Sequence, residues 1–161
     1  MKHIPARPAA RGGDTGASDS SKPLVLYVED DPINHEVARA RLAKKYQVLI
    51  AASDREACAI SRQHAEAINV ILMDIELQGS RLNGIDLTRL LRGTLPEDQR
   101  PSYALNVPTL AVPILFVTAY GARFGQAELI AAGGDAVLHK PIDFVQLMAA
   151  MTRTHLRRQG L

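Results

Sequence analysis

The sequence predicts an α/β fold, a doubly wound five-stranded parallel sheet with helices on both faces. Short apolar runs alternate with segments of helical spacing over residues 23–158, and most connections between them are short. Most runs are rich in Val, Ile and Leu without polar alternation, which is typical of strands buried on both faces. Polar and charged residues follow several runs directly, at the strand ends where parallel sheets bind their ligands.

The apolar runs give the predicted strands in chain order. Four of them contain no charged residue, and the fifth is shorter and weaker. All are of ordinary strand length. The predicted strands are 24–28, 48–52, 69–73, 113–117 and 136–138.

The first two helices are predicted from capping residues. Pro32 can open the first helix at its N1 position, with Asp31 as the N-cap. The second helix begins near Ser53 or Asp54, and Glu56 has the spacing of a capping box with Ser53.

The remaining three helices are predicted from their ends and their periodicity. The third covers about 85–91 and stops at Gly93, while the fourth covers 124–132 and ends at the C-cap signal Gly133–Gly134. The last helix begins at Asp143 and carries an apolar core face formed by Phe144, Leu147, Met148 and Met151.

Length and composition bound the class of protein. The chain has 161 residues, 47% hydrophobic and 22% charged, which indicates one globular domain. Residues 1–22 are polar and rich in Gly, Pro and Ser, so we expect a flexible tail. No apolar run is long enough for a transmembrane helix. The lone Cys58 excludes an internal disulfide and favours a cytoplasmic location. A net charge of +2 gives little support to nucleic-acid binding, and we expect none.

The residues that follow the predicted strands suggest the chemistry. The triplet 29–31 (Glu-Asp-Asp) follows the first strand, Asp74 the third, Thr118 the fourth and Lys140 the fifth. Gathered carboxylates repel one another and favour a hard cation with oxygen ligands, for which Mg²⁺ is suited. Lys140 could pair with Asp74 or with an added phosphoryl group, and Thr118 offers a hydroxyl donor. The set indicates phosphoryl transfer to Asp74 by positioning and charge stabilisation.

Five stretches make the sequence resemble a known family. The chain resembles the receiver domain of bacterial response regulators, the CheY-like superfamily, over roughly residues 23–156. The resemblance implies a flavodoxin-like (βα)₅ receiver fold. It rests on LVLYVEDDPIN (24–34), VILMDIEL (70–77), Asn83-Gly84, PILFVTAYG (113–121) and AAGGDAVLHKPID (131–143).

The resemblance implies a role for each metal-site residue. Asp74 is the implied phosphoacceptor, and Asp30 the implied direct ligand of Mg²⁺. Glu29 would act on the metal through water, and the backbone carbonyl of Glu76 would complete the protein's share of the ligands.

The resemblance also implies a switch and partners. Thr118 matches the hydroxyl that moves toward the phosphoryl group, and Lys140 the lysine that precedes a cis peptide bond to Pro141. A sensor histidine kinase or a histidine phosphotransfer protein would donate the phosphoryl group. A downstream protein would bind the face formed by the fourth helix, fifth strand and last helix, and homodimer formation is left open. No output domain follows the last helix, so we expect a stand-alone receiver.

Three departures from the family pattern stand out. The loop after Asp74 is two residues longer than usual and lacks the usual proline. Residues 93–112 form a long insertion with three prolines, and we favour a passive insertion over a functional one. Val137 stands where the family usually has Tyr or Phe, so the aromatic half of the switch is missing.

Two other functions are kept open beside this non-enzymatic switch. A phosphohydrolase with an aspartyl-phosphate intermediate would use a carboxylate two residues after the nucleophile, a position that Glu76 occupies. A degenerate receiver would serve as a docking module, a reading that Val137 favours and the intact carboxylates oppose. We also expect Glu76 and Tyr120, which flank the pocket, to influence how readily water reaches an acyl-phosphate.

Overall fold

Five parallel strands form one sheet in the computed structural model, which describes residues 21–119 and 123–161. The strands are β1 (Leu24–Val28), β2 (Gln47–Ala51), β3 (Ile68–Met73), β4 (Ile114–Thr118) and β5 (Ala136–His139). Their spatial order is β2-β1-β3-β4-β5, and every neighbouring pair is parallel. The predicted fold class is therefore confirmed, and each strand lies within one residue of its predicted bounds.

Within the described residues, five α-helices connect or follow the strands, as predicted. They are α1 (Pro32–Leu42), α2 (Asp54–His64), α3 (Gly84–Leu91), α4 (Gln126–Ala131) and α5 (Phe144–Arg158). The predicted caps Asp31, Ser53 and Asp143 each accept a hydrogen bond from a backbone N–H of the first turn. The predicted start of α4 at 124 is wrong by two residues, because Gly125 is the N-cap there. No helix in the described ranges combines the length and apolar character needed to span a membrane.

The core consists of one apolar cluster on each face of the sheet. Successive side chains of a strand point to opposite faces, so Leu26 of β1 packs with α2, α3 and α4, while Tyr27 packs with α1 and α5. Cys58 of α2 is fully buried in the first cluster. Because all neighbouring strands are parallel, their carboxyl ends lie at the same edge of the sheet.

The expected two-sided burial holds only for the centre of the sheet. All five residues of β1 and of β4 are buried, and β3 exposes only Asn69. In contrast, β2 is half-buried except at Ala51, and β5 is half-buried with an exposed His139. The prediction is wrong for β2 and β5 because each has only one neighbouring strand and thus lies at an edge of the sheet.

The insertion at 93–112 is folded against the domain. It contains two 3₁₀ turns, Glu97–Gln99 and Ser102–Ala104. Leu95 and Leu110 are buried in the cluster that holds α2 and α3. Residues 1–20 of the predicted tail lie outside the described ranges.

Candidate functional site

The structure brings the predicted strand-end residues together at the carboxyl edge of the sheet. The ammonium Nζ of Lys140 lies 2.7 Å from Oε2 of Glu29 and 3.0 Å from Oδ2 of Asp74. The backbone N–H of Lys140 donates to the carbonyl of Thr118 at 3.0 Å. Residues more than a hundred positions apart in the chain therefore share one pocket.

The sheet itself aims the two buried acids at this pocket. Directly after β1, the backbone N–H of Glu29 donates to the carbonyl of Ala51 at 2.9 Å. Directly after β3, the backbone N–H of Asp74 donates to the carbonyl of Val28 at 3.0 Å. These bonds continue the ladder by one residue, so both side chains emerge where the strands end. The sheet framework therefore fixes the backbone from which both carboxylates project.

Gly84 lets α3 begin directly against the backbone of Asp74. A Cβ at position 84 would lie 1.9 Å from the carbonyl oxygen of Asp74, closer than any side chain tolerates. The N–H of Gly84 donates to the carbonyl of Ile75 at 2.7 Å, and Asn83 caps the helix. The Asn83-Gly84 pair thus closes the loop that follows Asp74.

Burial and the closeness of the carboxylates shift the pKa values of the acids in this pocket. Asp74 is 6% exposed and Glu29 only 1%. Burial and the neighbouring carboxylate of Glu29 raise the pKa of Asp74 to about 7, although Lys140 opposes them. Burial also acts to raise the pKa of Glu29, but hydrogen bonds from Asn34 and Lys140 outweigh it and lower that pKa. Of these two buried acids, Asp74 is therefore the one whose charge is less well compensated.

The acidic pocket is formed by Glu29, Asp30, Asp74 and Lys140, and its donor set fits a hard divalent cation. Glu29, Asp30 and Asp74 each offer a carboxylate oxygen, and these oxygens lie within 4.8 Å of one another. Among the described residues, Lys140 is the cation in contact with two of these three acids. Three carboxylates against one ammonium leave excess negative charge, which is what an oxygen-seeking cation such as Mg²⁺ neutralises.

Glu76 lies at the rim of the pocket. Its side chain is 42% exposed and pairs with Nη1 of Arg123 at 3.3 Å, which joins the loop after β3 to the segment before α4. The metal-binding role of its backbone carbonyl stays a prediction. Tyr120, its predicted companion, lies outside the described residues.

The predicted switch positions lie on β4 and β5. Thr118 is fully buried at the end of β4, beside His139 of β5. Val137 pairs in register with Phe116 and packs against the core, in the place of the usual aromatic residue. The peptide bond between Lys140 and Pro141 is cis, as predicted.

Two contacts of the pocket escaped prediction from the sequence. Lys140 pairs with Asp74 as predicted, but its shorter contact, with Glu29, is not among the predictions. The amide of Asn34 donates to Oε1 of Glu29 at 2.9 Å from the first turn of α1. The spacing of Asn34, five residues after Glu29 and within a helix start, was the only signal for it.

Comparison with known proteins agrees with this arrangement. The family model described as the response regulator receiver domain matches residues 25–152. DivK, a polar-differentiation response regulator of Brucella ovis, is 30% identical over 120 residues, which cover 73% of this chain and 84% of DivK. The sensor protein GacS of Pseudomonas syringae is 29% identical over 141 residues, covering 87% of this chain.

A solved structure extends the likeness to three dimensions. The receiver domain of the sensor histidine kinase PA1611 from Pseudomonas aeruginosa, determined with a magnesium ion in its active-site cleft, is 26% identical. The match has a TM-score of 0.63 and covers 84% of this chain and 98% of that one. By contrast, this chain spans only 14% of GacS and 30% of AruR, a transcriptional regulatory protein of Pseudomonas aeruginosa.

Proposed function

The chain belongs to the response regulator receiver domain family, and we propose that it is a phosphoacceptor switch in which Asp74 takes the phosphoryl group in a Mg²⁺-dependent reaction. The observation that carries this proposal is the placement of Asp74. It is a buried carboxylate beside two other acids, with a lysine ammonium 3.0 Å from its Oδ2. Such a pocket can hold the anionic product beside its nucleophile.

The transfer step requires little covalent chemistry from the protein. A carboxylate oxygen of Asp74 forms the P–O bond, while the P–N bond of a phosphohistidine breaks. The imidazole nitrogen leaves with the electron pair and then takes up a proton. Lys140 supplies positive charge next to the forming acyl-phosphate, and Thr118 supplies a hydroxyl at the same sheet edge.

Mg²⁺ would be held by carboxylates of Asp30 and Asp74, with Glu29 acting through water and Glu76 through its carbonyl. When bound, it would neutralise charge on the phosphoryl oxygens. The three clustered carboxylates support this assignment, as does the magnesium ion reported in the cleft of the PA1611 receiver.

The partners follow from the class of the chain. The phosphodonor would be a sensor histidine kinase or a histidine phosphotransfer protein, a proposal supported by the occurrence of a similar receiver domain in the sensor histidine kinase PA1611. A downstream protein would bind the face formed by α4, β5 and α5. A stand-alone role, a homodimer, a cytoplasmic location and the absence of nucleic-acid binding stay predictions.

Phosphorylation by a small-molecule donor tests the proposal. Incubated with acetyl phosphate and Mg²⁺, the wild-type protein should gain the mass of one phosphoryl group, labile to alkali. Asp74→Asn should gain none, because the amide is not a nucleophile. An equal gain in both proteins, or none in the wild type, would contradict the proposal.

The alternative as a phosphohydrolase rests on Glu76, two residues after Asp74. That side chain is partly exposed and is engaged in an ion pair with Arg123. Sustained turnover of p-nitrophenyl phosphate would favour the phosphohydrolase over the phosphoacceptor switch. A degenerate docking module would bind neither Mg²⁺ nor beryllofluoride, and binding of both excludes it.

A further inference from the structure

The insertion is fastened to α2 at its second 3₁₀ turn. Nη1 of Arg62 donates to the carbonyls of Tyr103 at 2.8 Å and of Leu105 at 3.3 Å. The guanidinium of Arg55 lies 4.4 Å from the centre of the Tyr103 ring, a cation–π distance. Ala104, the last residue of the turn, is buried. These contacts hold the second 3₁₀ turn against α2, from Arg55 near its start to Arg62 near its end.

The hydroxyl of Tyr103 reaches a buried carboxylate outside the acidic pocket. It donates to Oδ2 of Asp54, which is 2% exposed at the first position of α2. No lysine or arginine of the described ranges forms an ion pair with Asp54. This carboxylate is stabilised by hydrogen-bond donors instead, which also lower its pKa against the effect of burial.

Asp54 is also hydrogen-bonded to the loop that follows Asp74. Oδ2 of Asp54 accepts the backbone N–H of Leu82 at 2.9 Å. In return, the N–H of Asp54 donates to Oγ of Ser80 at 3.0 Å. The same oxygen of Asp54 therefore binds both the insertion and this loop.

The opposite side of the loop touches the acidic pocket. The N–H of Gln78 donates to Oδ2 of Asp30 at 3.2 Å, and the N–H of Ile75 donates to Oδ1 of Asp74 at 2.8 Å. The loop also carries Glu76, the proposed carbonyl ligand. A shift of this loop would thus move groups that contact the acidic pocket and the proposed carbonyl ligand.

We propose that Asp54 and Tyr103 are positioning residues that clamp the loop 75–83, so that the insertion sets how tightly the pocket holds Mg²⁺. This inference rests on the proposed function for the presence of the metal. The clamp itself is a set of contacts between α2, the loop and a segment that departs from the usual family pattern. It gives the insertion a role that its sequence alone did not indicate.

Tyr103→Phe tests the clamp, because it removes one hydroxyl and keeps the ring under Arg55. We expect the amide of Leu82 to exchange with solvent at least about threefold faster, while amides of β1 and β3 keep their rates. The dissociation constant for Mg²⁺, measured by calorimetry, should rise by at least about threefold. Tyr46→Phe, a half-buried tyrosine at the other end of the sheet, should change neither quantity.

The outcomes separate this inference from the proposed function. A wild-type protein that binds no Mg²⁺ would overturn both. Mg²⁺ binding by the wild type with the same dissociation constant in Tyr103→Phe would overturn the clamp alone. Equal weakening in Tyr46→Phe would also overturn it, since the effect would then be a general loss of stability.

Discussion

Asp74 and Asp54 are both buried carboxylates at the carboxyl edge of the sheet, yet their surroundings differ in kind. Asp74 shares its pocket with Glu29 and Asp30, and the ammonium of Lys140 contacts two of these three acids. Asp54 is surrounded by hydrogen-bond donors, two backbone N–H groups and a phenol hydroxyl. Burial acts on both, but only Asp54 has enough donors to offset it.

The two pKa shifts have opposite directions for this reason. Burial and Glu29 raise the pKa of Asp74 to about 7. Burial alone would raise the pKa of Asp54 as well, but hydrogen bonds from Tyr103, Leu82 and Arg55 lower it below its usual value. A buried acid that is satisfied by donors stabilises the fold. A buried acid beside other acids carries a charge that a bound cation can neutralise, and such an acid is a candidate for a functional site.

The largest effect should follow from removing the ammonium of Lys140 from the acidic pocket. Lys140→Met should slow phosphorylation by acetyl phosphate by about a hundredfold, because the forming acyl-phosphate loses its fixed positive charge. The rate is measured by intact-mass spectrometry over time at saturating Mg²⁺. Lys45→Met, at an exposed lysine, is the control. A rate close to wild type would mean that Lys140 neutralises the resting acids only.

A smaller effect, on stability, is expected at the satisfied acid. Asp54→Asn should lower the free energy of unfolding by about 2 kcal/mol at neutral pH, because the amide cannot accept all the donors. The pKa of Asp54 is lowered in the fold, so its contribution is full above the unfolded-state value and is lost as the pH falls through the folded-state value.

Urea denaturation at several pH values measures this contribution. The difference in the free energy of unfolding between wild type and Asp54→Asn should decrease below about pH 4, where the unfolded-state carboxyl takes up its proton. Asp98→Asn, at an exposed acid of the insertion, should match the wild type throughout. A difference in the free energy of unfolding that stays constant at acid pH would show that the charge of Asp54 does not contribute to stability.

The smallest effect should come from the rim of the acidic pocket. Glu76→Ala removes the ion pair with Arg123, an exposed pair of modest strength, and should change the half-life of the acyl-phosphate by about two- to fivefold. Decay of the phosphorylated mass after removal of acetyl phosphate gives the half-life. Glu66→Ala, at an exposed acid far from the pocket, is the comparison. Equal half-lives in Glu76→Ala and the wild type would show that this ion pair does not influence dephosphorylation.

The acidic pocket was predictable from the sequence because strand ends converge by topology. Once the buried runs before Glu29, Asp74 and Lys140 are recognised, a parallel sheet leaves little freedom for their position. Edge burial was less predictable, since Val48 and Val137 belong to apolar runs like those of the central strands and differ only in having one neighbour.

The Asp54 clamp could not be predicted from the sequence. Asp54 has the ordinary place of an acid in the first turn of a helix, and Tyr103 lies 49 residues later among prolines. Their contact depends on how the insertion folds back onto α2, which no local periodicity encodes. The hydrogen bond from the Asn34 amide to Glu29 likewise escapes prediction, because an Asn in the first turn of a helix has no pattern that names its partner.

One paired denaturation experiment tests the contrast between the two acids directly. In the presence of a chelator at neutral pH, Asp74→Asn should raise the free energy of unfolding by about 1 kcal/mol, because it removes a charge that Glu29 and Asp30 oppose. The same substitution at Asp54 should lower it. Two changes of opposite sign would support the account, and a loss of stability in both variants would contradict it.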